Sequence, residues 1–215
     1  MNAGRKIRYL IVSLSVLSAL VLSVLVVSPA VAATSPLSAD EIAGLQFIRE
    51  EEKLARDVYL TLYQKWGLTT FNHIANSEAT HMASIKTLLD RYGIADPAAG
   101  KPIGVFINPE LQTLYNQLIA QGSQSPAAAL KVGGAIEEID IRDLQVRGAG
   151  TSYADIQSVY NSLLNGSYNH LRAFTSVLKT RTGEVYQPQY LDATTYQSIV
   201  SGSTGRRGGS GGGWR

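Results

Sequence analysis

The sequence predicts an all-α protein: a four-helix bundle with one shorter helix between its second and third long helices. Three observations predict it. Apolar residues recur at three- and four-residue spacing through nearly all of residues 38–180. Glycine and proline fall mainly between those periodic segments. No alternating, strand-like run is longer than Pro102–Ile107. Long amphipathic helices of this kind bury their stripes against one another, and 215 residues suffice for a core without covalent staples.

The first helix opens at Ser38, with Glu41 three residues on in a capping-box pattern, and runs to about Trp66 before Gly67. Its stripe is Leu45, Ile48, Glu52, Ala55, Tyr59, Leu62 and Trp66. The second runs from about Thr70 to Tyr92 and stops at Gly93, with the stripe Phe71, Ile74, Glu78, His81, Ile85 and Leu88. A loop from Gly93 to Asn108 follows. Pro109 then takes the first position of a shorter helix over residues 109–121. Ser125-Pro126 opens the third long helix, which is expected to end at Arg147 before Gly148; its stripe is Ala129, Gly133, Ile136/Glu137, Asp140 and Leu144. Ser152 is expected to cap the fourth, which reaches Thr180 with the stripe Ile156, Tyr160, Leu163, Ser167, His170, Phe174 and Val177. Asp192–Val200 reads as one further short helix.

The formal charge of +2 conceals three regions. Residues 1–32 carry Arg5, Lys6 and Arg8 and no acid. With the uncharged run Leu10–Val27 and the small-residue pattern Ala30-x-Ala32, they read as a signal peptide. An uncleaved N-terminal membrane anchor is the alternative, because an uncharged run of 18 residues is near the minimum for a span. Either way the rest of the chain is expected to be exported across the cytoplasmic membrane: secreted, periplasmic or on the outer face of the envelope. Residues 33–37 form a linker, 38–180 the helical bundle and 181–201 a C-terminal extension. Residues 202–215 hold seven glycines and three arginines and read as a disordered basic tail, in which Trp214 has no explanation. The stretch between leader and tail has 17 acids against 13 bases.

Several chemistries are excluded. No cysteine means no disulfide framework, thiolate metal site, iron–sulfur cluster, covalent haem or cysteine nucleophile. The charge is too small to suggest nucleic acid. No Gly-rich phosphate loop and no nucleophile elbow appear.

The informative signal is polar residues on apolar stripes. Glu52, Glu78, His81, Glu137, Asp140 and His170 all point inward, on every long helix. Unpaired buried carboxylates are costly, so several at mid-helix call for a shared partner, and carboxylates with imidazoles suit iron, manganese or zinc. Glu78-x-x-His81 puts both side chains on one helix face. Tyr59, two turns on from Glu52, can donate to a ligating carboxylate. Glu50 and Glu51 fall nearer the flank and read as solvated charges beside Lys53. Glu138 reads as a surface partner of Arg142. Gly133-Gly134 invites close approach of a neighbouring helix. His73 is left structural, and Arg172 is expected to face out or pair with an acid. Asp140 stands open between a ligand, a partner of a ligand and a surface acid.

The blocks REEEKLARDVY, SEATHM, AIEEIDIRDL and GSYNHLRAF, over residues 40–180, resemble a bacterial and archaeal family of the ferritin-like superfamily that is known as a domain of unknown function. The resemblance implies a ferritin-like four-helix fold and a two-ion iron or manganese site. Glu52 with Tyr59, Glu78 with His81, Glu137, and His170 match the family's pattern. Ser167 departs from it, standing where a fourth glutamate is expected. Three outcomes follow: Asp140 supplies the missing carboxylate, the site holds one ion or an asymmetric pair, or the site is vestigial.

Two functions are therefore expected. One is an exported metal-dependent oxidoreductase of peroxidase, catalase or ferroxidase type, with metal ions and a small oxidant such as peroxide or oxygen as partners. The other is a non-catalytic envelope scaffold or binding protein. Haem held between His81 and His170 is a weaker third, since it leaves the acids unexplained. A homodimer is compatible with each.

Overall fold

The structure is a computed structural model in which residues 37–202 are described. Among these residues the fold is all-α, with six helices and no strand: α1 (Ala39–Trp66), α2 (Thr69–Tyr92), α3 (Pro109–Gly122), α4 (Pro126–Ala149), α5 (Ala154–Thr182) and α6 (Ala193–Ser201). The expected leader (1–32), residues 33–36 of the linker, and the tail beyond Gly202 with Trp214 lie outside the described residues.

The local signals set most boundaries. Ser38 and Glu41 form the capping box of α1, and the helix ends where Gly67 takes φ +67°, a conformation that suits a residue without Cβ. Asn108, Ser125 and Asp192 cap α3, α4 and α6 through their side chains. Three expectations at helix ends are corrected. Ser152 does not cap α5: the N-cap is Tyr153, without a side-chain cap bond. Next to it, the hydroxyl of Thr151 receives Tyr153 N–H and donates to Glu41 Oε1 at 2.7 Å, tying the start of α5 to the start of α1. α4 passes through Gly148 to Ala149, since one glycine costs a helix only about 1 kcal/mol. α5 continues past Thr180 to Thr182, where Gly183 ends it.

α1 packs on α2 and α4 on α5, and the two pairs meet through α1–α4 and α2–α5 contacts. α3 lies against α1 and α4, and α6 against α5. The apolar core falls into two clusters. One holds Ala55, Ala75, Ile136 and Leu171. The other holds Ile48, Ile85, Leu144 and Leu163. The polar stripe residues of each long helix lie between a member of one cluster and a member of the other. That order also gives directions: α2 and α4 run the same way, antiparallel to α1 and α5. The segment between α2 and α4, with α3 in it, must therefore return along the length of the helices. Gly133 permits the α4–α5 contact, because a Cβ there would stand 2.6 Å from the ring of Phe174.

Charges read from sequence as solvated are in fact buried clamps. Lys53 is 1% exposed; its ammonium donates to Asp57 Oδ2 (2.5 Å) and to the carbonyls of Pro102 and Val105, and lies 4.4 Å from the centre of the Phe106 ring. Glu50 accepts the N–H groups of Ile107 (2.6 Å) and Asn108 (3.0 Å). Together they hold the 93–108 loop onto α1. Glu138 does not pair with Arg142: it is fully buried and accepts the N–H groups of Gln189, Tyr190 and Leu191 on one oxygen. Arg142 instead meets Asp143, and Lys131 meets Glu184. Among the described residues Arg172 pairs with no acid, donating to Ile199 O and Asn169 Oδ1.

Candidate metal centre

The layer between the two apolar clusters gathers the stripe residues of all four long helices. Glu52, Glu78, Glu137, Asp140 and Ser167 are each buried, Tyr59 is fully enclosed, and the two histidine side chains keep about a tenth of their surface. His73 is exposed on α2, away from this layer.

Glu78 is the hinge of the arrangement. Its Oε2 lies 2.7 Å from His81 Nδ1, and its Oε1 lies 2.7 Å from His170 Nδ1. Glu52 Oε2 approaches His81 Nδ1 from α1 at 3.2 Å, and Glu137 Oε2 approaches His170 Nδ1 from α4 at 3.5 Å. Two groups of three result, Glu52–Glu78–His81 and Glu78–Glu137–His170, each with ligand atoms within 4.8 Å of one another. Glu78 belongs to both. Either group can hold a metal ion.

Surrounding residues fix these side chains. Tyr59 donates to Glu137 Oε1 at 2.5 Å. The far nitrogen of His170, Nε2, meets Ser77 Oγ at 2.9 Å, which turns Nδ1 inward. Gly166 makes room for His81, since a Cβ there would stand 2.5 Å from Nε2. Asp140 joins neither group of three. Its Oδ2 accepts the hydroxyl of Ser167, one turn before His170 on α5. The histidine rings stack at 5.5 Å, with the Glu78 carboxylate reaching both Nδ1 atoms.

Burial and charge set the protonation. Burial works against a charged His81, but the carboxylates of Glu52 and Glu78 outweigh it and hold the imidazolium up to about 11. Burial likewise opposes charge on His170, and Glu137 and Glu78 hold it at about 10. Burial pushes Glu78 up, yet its two imidazolium neighbours bring it down to about 2. Glu52, Glu137 and Asp140 go the other way. Burial first, then neighbouring acids, raises them, Asp140 to about 8.

Hydrogen bonding leaves the layer incomplete. Among the described residues, Glu52 Oε1, Glu78 Oε1, Asp140 Oδ1 and His170 Nδ1 are buried without a hydrogen-bond partner. Glu78 Oε1 and His170 Nδ1, 2.7 Å apart, meet as an ion pair out of hydrogen-bond alignment. Buried polar atoms are nearly always satisfied. Oxygens and an imidazole nitrogen that converge out of hydrogen-bond alignment suit divalent cations as partners.

The six stripe residues Glu52, Glu78, His81, Glu137, Asp140 and His170 all lie in this layer, and Glu51, which reads from sequence as solvated, is buried beside it. Glu51 is 3% exposed, and among the described residues neither of its carboxylate oxygens accepts an N–H or O–H group. Its position beside Glu52 on the α3 side of α1 carries no periodic signal.

Residues 41–203 match the sequence profile of a family described as an uncharacterized protein domain, DUF2202. The chain is also 50% identical over 171 residues to the uncharacterized protein MJ0754 of Methanocaldococcus jannaschii, covering 80% of this chain and 92% of that one. A crystal structure of the hypothetical protein MJ0754 superposes with a TM-score of 0.77, covering 79% of this chain and 96% of that chain.

Proposed function

The chain belongs to the DUF2202 family, and from the geometry of its core we propose that it is a ferritin-like protein binding two ions of iron or manganese and acting as an oxidoreductase on a small oxidant. The observation that carries this reading is the division of Glu78 between two histidines. A carboxylate with one oxygen toward each of two imidazoles, and a further acid behind each imidazole, offers two adjacent three-ligand sites sharing a bridge. Glu52, Glu78 and His81 would hold one ion; Glu78, Glu137 and His170 the other.

Ions of this kind supply the one-electron steps by which peroxide or oxygen is reduced, or by which ferrous iron as substrate is oxidised. The residues of the chain do the rest. Ser77 orients the His170 ring, and Tyr59 keeps its proton on the bond to Glu137. The apolar clusters on either side shield the layer along the bundle, and the two histidines leave it a narrow opening to solvent. Asp140, fixed by Ser167 but with one free oxygen, stands in for the carboxylate that Ser167 lacks. The leader of residues 1–32 supports a location outside the cytoplasm.

The test is metal content after loading with iron(II) or manganese(II) and removal of excess. The reading expects about two ions per chain. Less than about a tenth of an ion at micromolar metal contradicts it. The acid–imidazolium pairs that neutralise the layer without metal favour a second reading, a non-catalytic scaffold with a vestigial site. It expects the same thermal stability with and without metal.

A further inference from the structure

Beside the core layer, α1, α3 and α4 enclose a cavity of about 280 Å³ open to the surface. Glu110 of α3 and Asp143 and Arg142 of α4 line it with Leu114, Ile139 and Glu51. Glu51 also borders a void of about 10 Å³ that reaches Leu54 and Ile136, about the size of a single water.

Glu51 differs from the acids around it. Glu50 and Glu138 are equally buried, but each accepts backbone N–H groups from a loop. Glu51 accepts none on either oxygen. Its charged neighbours are Asp140, Asp143 and the Arg147 guanidinium, and a buried carboxylate that no N–H group holds is disfavoured unless a proton or a cation engages it. It also occupies a specific place between surface and centre. Glu51 adjoins Glu52 in sequence, and Asp140 lies one helical turn from Asp143 on α4. Asp140 is near enough for its charge to bear on both Glu51 and Glu52. The carboxylates thus lead inward from Asp143 through Glu51 to Asp140 and Glu52.

We propose that this cavity is the port through which divalent metal cations reach the core, with Asp143 and Glu110 attracting them at the mouth and Glu51 binding them transiently at the inner end. This rests on the reading of the core as a metal centre. The chemistry suits a hard divalent ion. The wider part of the cavity accommodates one that keeps several waters, and the narrow void does not. The ion must exchange water for carboxylate oxygen at that point, which is where Glu51 stands. Arg142, half exposed and 3.3 Å from Asp143, is the cation that an incoming ion displaces.

The test separates rate from equilibrium. Metal-free protein is mixed with cobalt(II) or manganese(II) chloride, and uptake is followed by rapid mixing while final content and melting temperature are measured separately. Glu51→Gln and Asp143→Asn are expected to slow loading by about tenfold or more, with final content and the metal-induced rise in melting temperature unchanged. Leu114→Trp, which fills the cavity and leaves the charges alone, is expected to slow it too. Asp90→Asn, an exposed acid on α2, serves as the charge control and should load normally. Loading of Glu51→Gln at the wild-type rate overturns the proposal. So does loss of its final metal content, which would make Glu51 part of the centre itself. A wild-type chain that takes up no metal contradicts the reading of the core, and that result is distinct from either outcome for the variant.

Discussion

Ser167 on α5 donates its hydroxyl to Asp140 on α4 across the polar layer of the core. Ser167 stands one turn before His170, and the short serine leaves room that an aspartate from the facing helix fills, with Oδ1 making no hydrogen bond among the described residues.

Ser167→Ala should lower the stability of the metal-free protein. Asp140 would lose its donor while remaining buried, a loss of about 1–3 kcal/mol. Urea unfolding measures it, and an unchanged midpoint would show that the bond is not made.

The shared position of Glu78 predicts unequal effects among the acids. Glu52→Gln should lower metal content from about two ions per chain to about one, whereas Glu78→Gln should weaken both sites. Loss of even an outer partner of a ligand costs about 10–100-fold in affinity, so Glu78→Gln should exceed that. Equal stoichiometry for the two variants would count against a bridge.

Metal binding should release protons. Without metal, His81 holds its proton up to about 11 and His170 up to about 10, so both rings are charged at neutral pH. As ligands both must be neutral. Raising the pH toward those values removes the competing protons, so affinity should rise steadily with pH across the neutral range. Calorimetry in buffers of different ionisation enthalpy should show release of about two protons per chain or more, the imidazoles supplying two and the raised carboxyls of Glu52 and Glu137 adding to them. Binding without proton release would contradict the assignment of these nitrogens.

Glu138 should matter to the fold but not to the site. Glu138→Ala leaves three N–H groups of residues 189–191 without their acceptor. The expected destabilisation is about 3 kcal/mol or more, with faster amide exchange at 189–191. Metal content should be unchanged; a parallel loss of metal would place Glu138 in the centre.

The helices and the inward acids were legible because each depends on local signals. Ser38 with Glu41, Gly67 and Gly93 marks helix ends by chemistry confined to a few residues. Glu52, Glu78 and His170 fall on single apolar stripes, which a helix with one buried face displays. Glu50, Glu51 and Glu138 are buried, against their reading as surface charges, because their helices are covered on more than one face. α1 meets α2, α3 and α4, and its flank is covered by the 93–108 loop, whose path no periodicity encodes. α4 did carry a warning. Val132 to Ile141 has no continuous polar face, and all ten residues are buried. Such a helix leaves Glu138 no surface to occupy. Ser152 misled because a good capping residue stood one position before the true cap.

The most direct measurement is anomalous diffraction from crystals of the protein loaded with manganese(II). Two manganese peaks are expected, one among Glu52, Glu78 and His81 and the other among Glu78, Glu137 and His170, with Glu78 between them. Crystals soaked in the metal that show no peak at either group, with Glu78 still paired to both imidazoles, would contradict a metal centre in this core.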